Sequence, residues 1–291
     1  MTFHVVVGAG AVGMATAARL AEAGERVRQV TRSGSGHEHP LIERVAADAS
    51  DADALTKLVD GAETLVQVSA PAYDRWVQEF PALASGLLTA AERTGAGYVM
   101  LGNVYGYGPA DGPFRPDQPM RPVSAKGRVR ARIWEEALAS DARVTEVRAS
   151  DFLGQGALSV FTLLAEQQIR AGQPVRIPGG LDVPHAWSVV DDVAATLIAA
   201  ARSPQSWGRA WHVPSTVLTV RELARLVARL AAAPEPVLAE MTVGELRSGG
   251  PIFAEVEEML YLDEQPLVLD ASDTERLLGV RATPLERVFR R

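Results

Sequence analysis

The sequence predicts a doubly wound α/β fold, a parallel sheet with helices on both faces, joined to a smaller and mostly helical second lobe. Three observations carry this expectation. Short apolar runs alternate with Ala-rich amphipathic stretches through the first half, and a glycine-rich turn links the first run to the first helix. After about Arg148 the alternation gives way to helical periodicity and Pro-punctuated loops. Strand, helix, strand, repeated, calls for right-handed crossovers and hence a parallel sheet covered on both faces.

In chain order, Phe3 to Val7, Val27 to Thr31, Arg44 to Ala46, Leu65 to Val68, Tyr98 to Leu101 and Val144 to Val147 read as strands. Between them Ala11 to Ala23, Ala52 to Val59, Asp74 to Arg93 and Lys126 to Ser140 read as helices. Beyond Arg148 the spacing predicts a helix over Ser159 to Ala171, a short strand at Pro174 to Ile177, a Gly/Pro-rich loop to Pro184 and a helix over Val193 to Arg202. Thr219 with Glu222 forms a capping box for a further helix, on which Val220, Leu223, Leu226, Val227 and Leu230 make one apolar stripe. The division expected is 1–150 for the dinucleotide-binding part and 151–291 for the second lobe, with about 185–215 returning to the first core.

Composition narrows the function classes. At 47% hydrophobic and 22% charged, the 291 residues can bury a sizeable core, so disorder, collagen and coiled coil are excluded. With no cysteine there is neither disulfide nor thiolate nucleophile, and no metal site is expected from the scattered histidines. A net charge of −7 with dispersed basic residues argues against a nucleic-acid partner. The uncharged run from Val5 to Ala18 is too short for a membrane span, and no positive residue precedes it as in a secretory leader. A cytoplasmic location is expected. Of 29 basic residues only Lys57 and Lys126 are lysines, so each is conspicuous in an Arg-rich chain.

Gly8-Ala9-Gly10-Ala11-Val12-Gly13 has the G-x-G-x-x-G form between a strand and a helix. The first glycine allows a tight turn, the second lets backbone approach a pyrophosphate, and the third lets helix and strand pack closely. The free N–H groups and partial positive charge of the helix start suit phosphate. Where many NAD sites carry a carboxylate after the second strand, this chain reads Thr31-Arg32-Ser33. Arg32 could pair with a 2′-phosphate and Ser33 could add a hydroxyl, so NADP(H) is the preferred cofactor and NAD(H) the alternative.

With these motifs in order, the chain resembles the extended short-chain dehydrogenase/reductases of the NAD-dependent epimerase/dehydratase type, which have a Rossmann core. The resemblance rests on the glycine turn, Asp48, Ser69-Ala70-Pro71, Gly102-Asn103-Val104-Tyr105-Gly106, Lys126, Arg148 to Gly154, and Val189 to Val193. It implies that Asp48, with Ala49, meets the adenine and that Ser69, Ala70 and Pro71 line the ribose and pyrophosphate. It implies that Lys126 holds the nicotinamide ribose and that Tyr105 and Asn103 face the substrate. A homodimer through paired helices is compatible with it.

The family signature Tyr-x-x-x-Lys is incomplete, because Pro122 stands four residues before Lys126 and no tyrosine in the chain has a lysine four residues later. Asn103 occupies the usual Ser/Thr position and can donate a hydrogen bond but not relay a proton. Tyr105, ahead of Tyr107, is the candidate phenol, and Tyr73 and Trp76 are candidates for the cleft wall. His185 is a candidate acid or base, weighed against a packing role. Asp191 and Asp192 read as helix caps. The expected activity is hydride transfer to or from a small carbonyl or alcohol substrate, as an NAD(P)-dependent oxidoreductase or epimerase-like enzyme. The alternative is a catalytically silent NADP(H)-binding sensor or scaffold.

Overall fold

The computed structural model describes residues 2–290, the side chains of residues 251, 252 and 254 aside. Its first half alternates β1 (Phe3–Val7), α1 (Ala11–Glu22), β2 (Arg26–Thr31), β3 (Ile42–Ala46), α2 (Ala52–Val59), β4 (Thr64–Gln67), α3 (Trp76–Thr94), β5 (Gly97–Asn103), α4 (Ala125–Leu138) and β6 (Val144–Ala149). The second half runs β7 (Asp151–Leu153), α5 (Val160–Leu164), α6 (Glu166–Arg170), β8 (Val175–Ile177), β9 (His185–Val189), α7 (Val190–Arg202) and β10 (Arg209–His212). It ends with β11 (Thr216–Leu218), α8 (Val220–Leu230), β12 (Leu238–Glu240), α9 (Val243–Ser248), α10 (Pro251–Glu257) and α11 (Leu285–Phe289).

The main sheet has seven strands in the order β10-β6-β5-β4-β1-β2-β3, every pair parallel. Successive residues of one strand feed opposite cores, as a two-sided sheet demands. Val5 and Val7 pack with Leu65, Tyr98 and Met100 beneath α3 and α4, whereas Val6 packs with Val66, Val99 and Leu197 beneath α1 and α7. This Rossmann-like sheet reverses its winding between β1 and β4, and ligands of such sheets sit in the crevice beyond the strand ends at that point.

The second lobe carries more strand than its sequence pattern predicts. β7, β9 and β11 form a small sheet, and β8 pairs with β12, each strand but β9 being three residues long. Strands so short show no usable periodicity. The helix expected over Ser159 to Ala171 is broken at Ala165 into α5 and α6. The helix expected from Val193 begins at Val190, so Asp191 and Asp192 lie inside its first turn and neither caps it. Asp192 instead accepts hydrogen bonds from Thr283, at 2.7 Å from the backbone N–H and 2.6 Å from the hydroxyl, and so pins the C-terminal tail. Burial holds its carboxyl above the ordinary value against those two bonds.

Candidate active site

The glycine turn is built for a close ligand. Gly8 has φ +124°, and a Cβ there would lie 3.0 Å from the backbone of Val68 and Ser69. A Cβ on Gly13 would meet the Gly8 carbonyl at 2.4 Å, so α1 approaches β1 only because the residue is glycine. Gly10, by contrast, opens onto free space. It caps α1 without a side-chain hydrogen bond, and no acidic residue neutralises the first turn over Ala11, Val12 and Gly13. The buried Gln29 amide secures the loop by donating to the carbonyls of Gly8 (3.0 Å) and Gly13 (3.3 Å), a contact that the alternation of β2 does not reveal.

Two cavities open at the carboxyl ends of the strands and share Ser69 and Ala70 as a common wall. The first, of about 520 Å³, brings together Gly8, Arg32, Asp48, Ala49 and Pro71. Asp48 accepts from the Ser50 N–H (2.9 Å) and hydroxyl (2.7 Å), and these bonds, with Arg32 nearby, hold its carboxyl below the usual range. Arg32 is exposed and forms no salt bridge among the described residues. Ser33 does not line this cavity and donates to Ser35 instead (3.0 Å). The Ser69 hydroxyl is buried between the cavities with no partner. An open helix start, a glycine cradle and an orphaned hydroxyl at the junction fit a dinucleotide laid across both cavities.

The second cavity, of about 270 Å³, is walled by Tyr73, Trp76, Asn103, Tyr105, Arg130, Asp151 and Phe152, among others. The Asn103 side-chain oxygen accepts from the Tyr105 N–H (3.1 Å), which leaves its amide nitrogen available to donate. The Tyr73 hydroxyl donates to the Tyr105 hydroxyl (3.3 Å), so the proton of Tyr105 remains free for an acceptor in the cavity. Burial, then the Asp151 carboxylate, pushes the Tyr105 phenol above its ordinary value despite that bond. At neutral pH it is therefore a proton donor rather than a phenolate base.

Lys126 is not in the wall of this cavity. Its ammonium is buried over the Tyr73 ring, 4.5 Å from the centroid, and is ion-paired to Glu255 and to Glu258 (2.9 Å). Glu258 also accepts from the backbone N–H groups of Ala125 and Lys126, so the segment around α10 closes over the start of α4. Two carboxylates thus hold the group that the resemblance assigns to a ribose. Arg130, one turn further along α4, is the cation in the wall. It donates to Leu101 O (2.6 Å) and Glu146 (3.3 Å), while its Nε has no partner. Burial lowers its guanidinium, and Glu146, Tyr98 and Tyr105 pull it back.

Tyr107 faces away from the cavity. Its hydroxyl accepts from Arg148 (2.5 Å) and donates to His212 Nε2 (2.7 Å), and His212 Nδ1 reaches Asp270 O (3.1 Å). That direction of donation requires a neutral imidazole, and burial beside Arg148 pushes His212 down to about 3. A histidine whose folded value lies below its unfolded one binds fewer protons folded than unfolded between the two, so stability falls as the pH drops from 6.5. Acid titration of the wild type should show unfolding free energy falling by up to about 1.4 kcal/mol per pH unit from this group, and His212→Gln should flatten the profile.

His185 is buried against Trp187, between Asp151 (2.8 Å) and Asp263 (3.6 Å). Burial alone would lower it, but the bond to Asp151 and the two carboxylate charges raise it. Burial pushes Asp263 up to about 7. This cluster, touching the cavity through Asp151, is what the lone-histidine reading of the sequence lacked.

A family model described as the NAD dependent epimerase/dehydratase family matches residues 4–213. No curated protein sequence matches the chain significantly. Among solved structures, the Bordetella bronchiseptica enzyme WbmH in complex with NAD+ is similar at 20% identity and TM-score 0.78, over 100% of this chain and 96% of that one. UDP-glucose 4-epimerase of Thermotoga maritima, with UDP-glucose, is similar at 18% identity and TM-score 0.79, over 100% and 96%. DesIV, a dTDP-glucose 4,6-dehydratase of Streptomyces venezuelae, is similar at 18% identity and TM-score 0.78, over the same shares. These likenesses speak for the shared fold. The match of the family model over most of the sequence establishes that the chain belongs to the NAD dependent epimerase/dehydratase family.

Proposed function

We propose that this protein is a nicotinamide-dependent oxidoreductase that interconverts a small carbonyl compound and its alcohol in the cavity beside Tyr105. The observation that carries this is the Tyr105 phenol, protonated and with its hydrogen free, in the same cavity wall as Asn103 at the end of β5, whose amide nitrogen is free to donate. The glycine turn, Asp48 with Ala49, and Ser69 to Pro71 would hold the dinucleotide, which supplies or accepts the hydride. Asn103 polarises the substrate oxygen and Tyr105 delivers the proton to it. Arg130 places positive charge behind the phenol, and Lys126 ties the α10 segment to α4 and packs over the ring of Tyr73, which lines the cavity.

NADP(H) is the preferred cofactor, because Arg32 stands unpaired beside the first cavity where an NAD site would carry a carboxylate. The solved relatives WbmH and DesIV hold NAD, so NAD(H) is the competing choice. Titration calorimetry decides between them. Arg32→Ala should weaken NADPH about tenfold, the loss of one charge-assisted contact to a phosphate, and leave NADH within about twofold. Equal affinities of the variant and the wild type for NADPH would remove the preference.

Turnover is tested by following NADPH and NADH oxidation with a panel of ketones and aldehydes. The locked Lys126 and the Pro122 position favour one other reading, a dinucleotide-binding sensor without turnover. It predicts tight cofactor binding with no substrate-dependent oxidation in that panel.

A further inference from the structure

The cavity beside Tyr105 also constrains what it can accept, given the hydride-transfer reading above. Its volume of about 270 Å³ is below the roughly 300 to 1,000 Å³ of pockets that enclose drug-sized ligands, and a nicotinamide ring must share it. Most of the wall is apolar, with Trp76, Phe152, Leu158 and Leu262 among its side chains and Phe80 buried behind them.

Charge is arranged against an anionic substrate. Arg130 is the one basic side chain in this wall, and it is already bonded to Leu101 O and to Glu146. Asp151 presents a carboxylate to the cavity, bonded on Oδ2 to His185 (2.8 Å). In the second half of the chain Arg170, Arg176, Arg221, Arg225 and Arg247 are each paired with a carboxylate, and Arg229, Arg281 and Arg287, which form no salt bridge among the described residues, do not line this cavity. A nucleoside diphosphate carries two phosphate charges that need unpaired cations, and burying them beside Asp151 would be strongly unfavourable.

We infer that the substrate is a compact, uncharged carbonyl compound bearing an aromatic ring or branched alkyl group, and not a nucleoside diphosphate sugar. The apolar body lies against Trp76, Phe152 and Leu158, and the carbonyl oxygen meets Asn103 and Tyr105. Affinity comes from apolar contact and two neutral hydrogen bonds, so it is insensitive to salt.

The test uses acetophenone and UDP-glucose as probes, read by saturation-transfer NMR on the full chain with and without NADPH. Acetophenone should bind saturably, and its affinity should stay within about twofold as ionic strength rises from about 0.05 M to about 0.5 M. Phe152→Ala should weaken it about fivefold or more through lost apolar contact. UDP-glucose in tenfold excess, roughly, should not displace it. Should Phe152→Ala fail to fold, the salt series and the competition on wild type still decide. UDP-glucose binding that is tighter than acetophenone and weakens with salt would overturn the inference, as would acetophenone that never saturates. A flat calorimetric trace with NADPH and NADH would instead overturn the cofactor reading, and it is recorded separately from both probes.

Discussion

Gly10→Asp should fold normally and lose its cofactor. The position has φ −71° and ψ −177°, which any residue adopts, and a Cβ there meets nothing within 4 Å. Aspartate is moreover a favourable N-cap, so thermal unfolding should shift by no more than about 1 kcal/mol in stability, in either direction. In the proposed cofactor seat the same carboxylate would stand against the pyrophosphate. At about 4 Å and an effective dielectric near 20, two like charges repel by about 4 kcal/mol, so dinucleotide affinity should fall about 100-fold or more. Calorimetry checks the affinity, and a melting curve checks that the fold is intact. A neighbouring substitution with the opposite profile sharpens the comparison. Gly13→Ala would drive its Cβ to 2.4 Å from Gly8 O and should destabilise the fold itself.

Tyr105→Phe should leave cofactor affinity unchanged and slow substrate turnover by about 100-fold to 10,000-fold, the usual value of a positioned proton donor. The phenol accepts one long hydrogen bond, from Tyr73, so the stability lost with it is about 1 kcal/mol. Comparison with Tyr73→Phe separates donor from support. Without Tyr73 the Tyr105 phenol keeps its own proton but loses the bond that acts to lower its pKa, so turnover should drop by about tenfold, well short of the Tyr105 effect. Equal rates for Tyr105→Phe and wild type on a reducible carbonyl compound would remove Tyr105 from the chemistry.

The parts of the molecule that were legible in the sequence are those set by neighbours along the chain. The first six strands follow from local apolar runs, and the glycine turn from spacing within six residues. The capping box of Thr219 and Glu222 is present as the spacing requires. What escaped depends on contacts between distant segments. Lys126 looks free in the sequence because Glu255 and Glu258 lie about 130 positions away. Nothing in the spacing along α4 distinguishes Arg130 from its neighbours Arg128 and Arg132, and only the sheet brings Glu146 and Leu101 to it. His185 reads as a lone histidine because Asp151, at the start of β7, and Asp263, in a turn near the C-terminus, lie far from it in sequence. Gln29 reads as a polar interruption of a strand, yet its amide holds both ends of the glycine turn.

The buried polar groups around Glu146 connect these findings. Gly102 has no side chain because a Cβ would lie 2.4 Å from the Glu146 carboxylate, which in turn pairs with Arg130 and Arg148. Arg148 continues through Tyr107 to His212 on β10. The cavity wall and the far edge of the sheet therefore share one network, and breaking it at Glu146 would strand two buried guanidinium groups.

The most direct measurement is a calorimetric titration of the wild-type chain with NADPH and with NADH. The account predicts saturable binding at one site per chain, tighter for NADPH. Absence of heat with both nucleotides, at concentrations up to about 1 mM and at two temperatures, would contradict it.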